Sequence, residues 1–296
     1  MGDRRGGLSY RMYRCVYYDL RAGVRSDHIS LLFPGWQPGE ERVAILSPHD
    51  DDAVLGAGYL ALAAAQAGGQ VWVLICCDGR GGYSRVEEKE TIIAVRRQET
   101  LAAYGLLDIP AERVVRYNFP DFDLFPRIGW NLPGGGEGTF AQNLRALRRI
   151  GVTRLLVPNG YREHLDHTAA YLVGAFDGPQ VGDPTLADWG LAPPVRNTLI
   201  YSVWADFSPE DALVAGASTS LRANRALVAP AEMEERLAAS LRAFRSQLEI
   251  IDGLLGARRG RFFDGGVVEL YQAFDPRPSL DYRPYHARIR EIAKAS

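Results

Sequence analysis

His49 is followed at once by three carboxylates, Asp50, Asp51 and Asp52, and much later a second pair of histidines, His164 and His167, brackets Leu165 and Asp166. Imidazole nitrogen and carboxylate oxygen are donors that a divalent ion such as zinc accepts, and a catalytic zinc uses three protein ligands while a fourth position stays open for water. His49, one aspartate of the run and His167 would make such a set. Water in that position acidifies from about 15.7 to near 7 in favourable zinc sites, and a second aspartate beside the ligand could take its proton. For a single aspartate, helix capping would be the simpler explanation, since a carboxylate at a helix start accepts backbone N–H groups and complements the dipole. Three in succession repel one another unless a cation or several donors neutralise them, so the run favours metal chemistry. The later pair alone would read as two surface histidines at a helix start, but three of the chain's 5 histidines fall in these two segments.

Both segments need rigid supports. Residues 42–47 are a short apolar run of the kind that becomes a buried strand, and residues 53–67, rich in Ala and Leu, read as a helix. The aspartates therefore sit at a strand-to-helix turn. Residues 154–158 are another such strand, followed by a turn through Asn159-Gly160 and then by the histidines. In doubly wound sheets ligands bind at the carboxyl ends of parallel strands, so the two halves could face one crevice. Further apolar runs near 71–77, 113–119 and 198–204 alternate with helical stretches near 87–107, 139–150, 167–176 and 231–255, the pattern of βαβ units. The expected fold is α/β, a Rossmann-like doubly wound, mostly parallel sheet with helices on both faces. Residues 1–38, with Tyr10 and Tyr17-Tyr18, are expected to lay an extra strand or arm on that sheet, and 262–271 to add one or two closing strands. No repeat or linker divides the chain, so 1–296 reads as a single domain, with its core at about 40–250, an N-terminal arm at 1–38 and a closing segment at 256–296.

At this point the motifs resemble those of a family. Pro48-His49-Asp50-Asp51-Asp52 is similar to the His-Pro-Asp-Asp signature, and His164-Leu165-Asp166-His167 to the His-Pro-Asp-His signature, of the PIG-L or LmbE-like zinc-dependent N-deacetylases. Cys77-Asp78-Gly79, Arg96-Arg97-Gln98-Glu99 with Leu106, Phe119-Pro120-Asp121 and Arg245-Ser246-Gln247 extend the likeness over roughly residues 40 to 250. The resemblance implies that His49, Asp52 and His167 hold Zn2+, with Fe2+ or another divalent metal as substitutes. It implies that Asp51 is the general base. His164 would stabilise the oxyanion or protonate the leaving amine, and Asp166 would hold an imidazole from behind, which fixes its tautomer. The implied substrate is a small N-acyl amino sugar or glycoside. Asp50 and Leu165 stand where the signatures carry proline; Asp50 adds a carboxylate that could compete as a ligand or raise Asp51 by repulsion. Tyr161 is a further residue near the second motif.

Composition is compatible with this reading. With 296 residues, 47% hydrophobic, the chain can bury a large α/β core. No tract approaches the roughly 20 apolar residues of a membrane span, and the charged start Met1 to Gly7 lacks a following apolar segment, so a cytoplasmic location is expected. Cys15, Cys76 and Cys77 have no Cys-x-x-Cys spacing, which argues against a disulfide framework or a thiolate zinc site. A net charge of −2 with mixed signs recommends neither nucleic acid nor an anionic membrane as partner, and the sequence is compatible with a homo-oligomer. Three loops, 78–84, 120–138 and 176–197, are placed to shape a pocket, the second carrying a glycine run that reads as a lid or as surface slack. Tyr83, Trp130, Trp189 and Trp204 could face a sugar ring, although packing is favoured for Trp204. Two rivals remain: an iron(II) oxygenase with a two-His-one-carboxylate site, which commonly sits on an all-β jelly roll, and a non-catalytic sugar-binding domain.

Overall fold

The alternation in β3 (Arg42–Ser47) sends Val43 and Ile45 to one face of a sheet and Ala44 and Leu46 to the other, and all four are buried. A strand covered on both faces reads as a continuous apolar run. The computed structural model describes residues 13–209 and 221–295; Tyr10 lies outside them. In chain order the described elements are β1 (Val16–Asp19), β2 (Val24–Ser26), β3, α1 (Asp52–Gln66), β4 (Gln70–Cys77), α2 (Ile92–Gly105), β5 (Val114–Phe119), α3 (Thr139–Ile150), β6 (Arg154–Pro158), α4 (Leu165–Gln180), β7 (Asn197–Tyr201), β8 (Arg225–Pro230), α5 (Ala231–Leu241), α6 (Leu248–Ala257), β9 (Phe262–Phe263), β10 (Gly266–Phe274) and α7 (Arg283–Ala295).

One sheet runs in the order β2-β1-β8-β10-β7-β6-β3-β4-β5, with β9 paired to β10. Its functional block is parallel: β3 pairs with β4 and β6, β4 with β5, and β6 with β7. Antiparallel strands extend it beyond β7. From β3 the chain builds outward through β4 and β5, then returns to β3's other side with β6. The loops leaving β3 and β6 therefore part in opposite directions, and the crevice between them is where an open α/β sheet binds ligands. Apolar residues of α1, α2, α5 and α6 pack on one face and those of α3 and α4 on the other, which makes this the α/β fold that the strand and helix pattern implies.

Several boundaries differ from the expectation. The helical stretch near 231–255 is two helices, α5 and α6, separated by a short 3-10 turn at Arg245–Gln247. The break lets Ser246 donate to Glu99 from its backbone (2.8 Å) and hydroxyl (2.7 Å), and lets Gln247 donate to the Gly82 carbonyl at 2.7 Å. Strand β7 ends at Tyr201 rather than 204 because Ser202 to Ala205 turn their donors toward Glu163. Helix α4 runs on to Gln180, so the third loop begins there. Strand β8 and helix α7 were not expected; α7 is exposed along its described length. No helix among the described residues is long and apolar enough to cross a membrane.

One buried group should make stability depend on pH. Asp177 of α4 is 1% exposed and accepts from Asn143 of α3 at 2.8 Å, while Asn143 in turn accepts from the Tyr117 hydroxyl at 2.9 Å. Burial pushes the Asp177 carboxyl well above its ordinary 3.8, against the pull of Asn143. A carboxyl raised on folding costs stability as pH climbs above the unfolded value. Asp177→Asn should therefore stabilise the protein by about 1–3 kcal/mol at neutral pH, the scale of relieving a poorly satisfied buried polar group. That gain should shrink toward pH 4 in thermal melts; a gain equal at pH 4 and pH 8 would refute it.

Candidate active site

His49 leaves the end of β3 and is anchored within its own turn. Its backbone N–H donates to Asp52 Oδ2 at 2.8 Å, and the Ser47 hydroxyl donates to the His49 carbonyl at 2.6 Å. The ring is held at both nitrogens, Nε2 lying 3.2 Å from Asp166 Oδ2 and Nδ1 3.1 Å from Asp52 Oδ2. With Nε2–H donating to Asp166, Nδ1 presents its lone pair beside Asp52. His167 is arranged alike. Its Nδ1 lies 2.6 Å from Glu163 Oε2, and its Nε2 lies 3.1 Å from the same Asp52 oxygen.

Three donor atoms thus converge: His49 Nδ1, Asp52 Oδ2 and His167 Nε2, all within 4.8 Å of one another. The ring of His167 is completely buried and its Nε2 makes no hydrogen bond, an orphaned polar atom that needs a partner. Tetrahedral zinc with ligand bonds near 2.0–2.1 Å separates neighbouring ligand atoms by ~3.3 Å. The two contacts to Asp52 Oδ2, each 3.1 Å, fit that spacing. A second cluster, His49 Nε2 with Cys77 and Asp166, is also within reach of an ion. It fits less well, because burial pushes the Cys77 thiol up to about 12 and Asp166 is already saturated.

That saturation makes Asp166 a junction. Its Oδ2 accepts from the Phe122 backbone N–H at 2.7 Å as well as facing His49, and its Oδ1 accepts from Leu124 N–H at 3.2 Å. His164 caps the same helix: its Nδ1 accepts from the Asp166 backbone N–H at 3.1 Å. The proton of a neutral His164 is then on Nε2. Burial and the neighbouring His49 hold His164 below the usual imidazole value.

The electrostatics separate the two aspartates. Burial would raise Asp52, but His167 and His49 outweigh it and hold Asp52 well below the carboxylate range. Asp51 is pushed up by burial and by the Asp52 charge, against the pull of Arg96 and His49. Neighbouring carboxylates driven apart in this way are suited to different tasks. Asp51 occupies the N-cap of α1 without a side-chain capping hydrogen bond, so the helix does not use its carboxylate. Burial would lower His167, but Asp52 and Glu163 raise it to about 9, and Asp166 and Asp52 likewise raise His49 against its burial. The pocket is built to hold positive charge.

Asp50 does not join this group. It is fully buried and faces Arg96 Nε at 3.1 Å, the Thr100 hydroxyl at 2.7 Å and the Arg116 guanidinium, and its carbonyl accepts from Tyr104. Of the roles left open for Asp50, competition for the metal is the one this arrangement disfavours, because two guanidiniums claim its carboxylate. Tyr161 lies beneath the guanidiniums of Arg162 and Arg222 rather than against a histidine. Trp204, expected to be packing, is half exposed with its ring 4.9 Å from His167, whereas Trp130 and Trp189 meet each other at 4.8 Å. The glycine run forms a tight turn closed by a bridge between Asn131 and Glu137.

Glu163 is the residue that sequence reasoning missed. Beyond His167, its Oε1 accepts from the Ser202 hydroxyl at 2.8 Å and from the backbone N–H groups of Val203, Trp204 and Ala205 at 2.9, 3.3 and 3.2 Å. A carboxylate four residues before a histidine was the available signal. Close approach to this loop also constrains α1: a Cβ on Gly56 would lie 2.8 Å from the Ser202 carbonyl oxygen.

Among solved structures the chain is similar to an N,N'-diacetylchitobiose deacetylase from Pyrococcus horikoshii, with TM-score 0.60 and 18% identity over 84% of this chain and 90% of that one. It is similar also to the zinc-inhibited form of teicoplanin deacetylase Orf2, at 0.52 and 19% over 78% and 97%. GalB, the 4-carboxy-2-hydroxymuconate hydratase from Pseudomonas putida KT2440, gives 0.52 and 13% over 81% and 99%. At such identities the likeness is one of fold. No curated protein sequence matches. Residues 44–175 match the PIG-L family, described as GlcNAc-PI de-N-acetylase, and this stretch holds His49, the aspartate run, Glu163, His164, Asp166 and His167.

Proposed function

We propose that this protein is a metal-dependent hydrolase that removes an N-acyl group from an amino sugar or glycoside. The observation that carries this reading is the pair of 3.1 Å contacts that Asp52 Oδ2 makes with His49 Nδ1 and the otherwise unpartnered His167 Nε2. Fold alone does not choose a reaction, as a hydratase of the same fold illustrates. The PIG-L match and the relatives named deacetylases support the amide.

His49, Asp52 and His167 would hold the cation, zinc or iron(II), with Asp166 and Glu163 fixing the two rings from behind. When bound, such an ion acidifies water and polarises a carbonyl oxygen. Asp51 takes the proton of the attacking water as the C–O bond forms, and returns it to nitrogen as the C–N bond breaks, leaving a carboxylic acid and an amine, which part as carboxylate and ammonium once the acid proton passes to the amine. His164, capped through Nδ1, directs Nε2–H at the developing oxyanion. The oxygenase alternative loses the all-β scaffold on which it commonly sits, because the sheet here is covered by helices on both faces.

The test is amine release from N-acylated glucosamines and glycosides, with acyl groups from acetyl upward, by protein stripped of metal and then reloaded. Release that disappears with the metal, returns with it and proceeds without oxygen is the expected result. Silence across the whole panel at stoichiometric metal would refute the reading.

A further inference from the structure

Phe122 and Trp204 stand beside the histidines with 67% and 53% of their surface exposed, and Leu165, next in the chain after His164, is 57% exposed. The Phe122 ring lies 4.9 Å from His164 and the Trp204 ring 4.9 Å from His167. Between them His49 is 5.1 Å from His164 and 5.4 Å from His167. His164 and His167 are 6.1 Å apart, so the three imidazoles form a cluster with Phe122 at one edge and Trp204 at another, and Leu165 follows His164 at the start of α4.

Packing does not account for Phe122. Its φ of +63° lies in the left-handed region, which is an outlier for a bulky residue, and its side chain is largely in solvent. Glycine or asparagine would adopt this backbone more readily. The conformation is imposed from outside by the hydrogen bonds of Phe122 N–H and Leu124 N–H to Asp166. Room for the ring is kept by Gly81, where a Cβ would sit 2.4 Å from Phe122 Cε2. Strain of this kind persists where the surroundings over-determine it, and it clusters at functional sites.

Phenylalanine and leucine carry no side-chain hydrogen-bonding atom, and tryptophan only the indole N–H. Sugar hydroxyls would find few partners among them. Of the two groups joined by the amide of an N-acyl amino sugar, only the acyl chain is hydrocarbon. We propose that Phe122, Leu165 and Trp204 form an apolar subsite for the substrate's acyl chain, so that chains longer than acetyl are removed in preference to acetyl. This rests on the hydrolase reading above.

A fully buried methylene is worth about fourfold, so an open collar should give roughly two- to fourfold per methylene. With metal-loaded protein, kcat/KM on N-acetyl-, N-butyryl- and N-hexanoylglucosamine should rise in that order. Phe122→Gly and Trp204→Ala should each pull the hexanoyl-to-acetyl ratio toward one. Phe122→Gly should melt no lower than the parent, because it relieves a left-handed residue, which separates lost contact from lost fold. A series that is flat or falls with chain length, or a ratio that neither variant changes, would overturn the subsite. Amine release from no member of the series would overturn the hydrolase reading, and the subsite with it.

Discussion

Replacing His167 with alanine is expected to remove metal binding and turnover together. Its Nε2 is one of three converging donors, lies on a completely buried ring, and has no competing hydrogen bond. Losing a residue that orients a ligand costs 10–100-fold in metal affinity, so losing the ligand itself should cost at least ~100-fold. Chelator competition and metal analysis of the purified variant would measure it. Glu163→Gln keeps the imidazole but weakens its anchor, and should fall in the smaller range. His167→Ala that retains stoichiometric metal with parental affinity would remove His167 from the ligand set.

Asp51→Asn should do the opposite: metal stays while turnover falls by about 10²–10⁴-fold, the usual contribution of a positioned general base. The substitution is nearly isosteric, and since Asp51 makes no side-chain capping bond, the start of α1 should be little disturbed. Turnover with saturating substrate, read beside metal content, decides the matter. A metal-free Asp51→Asn would mean that Asp51 is the ligand and Asp52 the base; an unchanged rate would remove Asp51 from the chemistry.

What the sequence could disclose followed the range of the interactions involved. Strands β3 and β6 were legible because Val43, Ile45, Leu155 and Leu156 are buried within continuous apolar runs, and the loop that follows each strand carries one histidine motif. The placement of those motifs on one crevice followed from the general rule for doubly wound sheets. The antiparallel extension was less legible, since β1 and β8 are short and nothing local says that they pair with each other. The fates of Glu163 and Asp50 were hidden for a related reason. Each is defined by distant partners, the 202–205 loop for one and Arg96 with Arg116 for the other. For Trp204 the sequence left core and rim packing together, because a residue beyond a strand end can take either place and periodicity does not distinguish them; the structure has it half exposed against the His167 ring.

Asp50 also carries a warning for protein engineering. Substituting the commonest residue of a family is ordinarily a dependable route to stabilisation, and the proline of the His-Pro-Asp-Asp signature would be an obvious choice at this position. Here that choice would strand two guanidiniums, of which Arg96 is fully enclosed and Arg116 nearly so. Removing one partner of a buried ion pair costs about 3–5 kcal/mol. Positions 50, 96 and 116 therefore form one electrostatic unit, and a loop transplanted from a relative would have to bring all three.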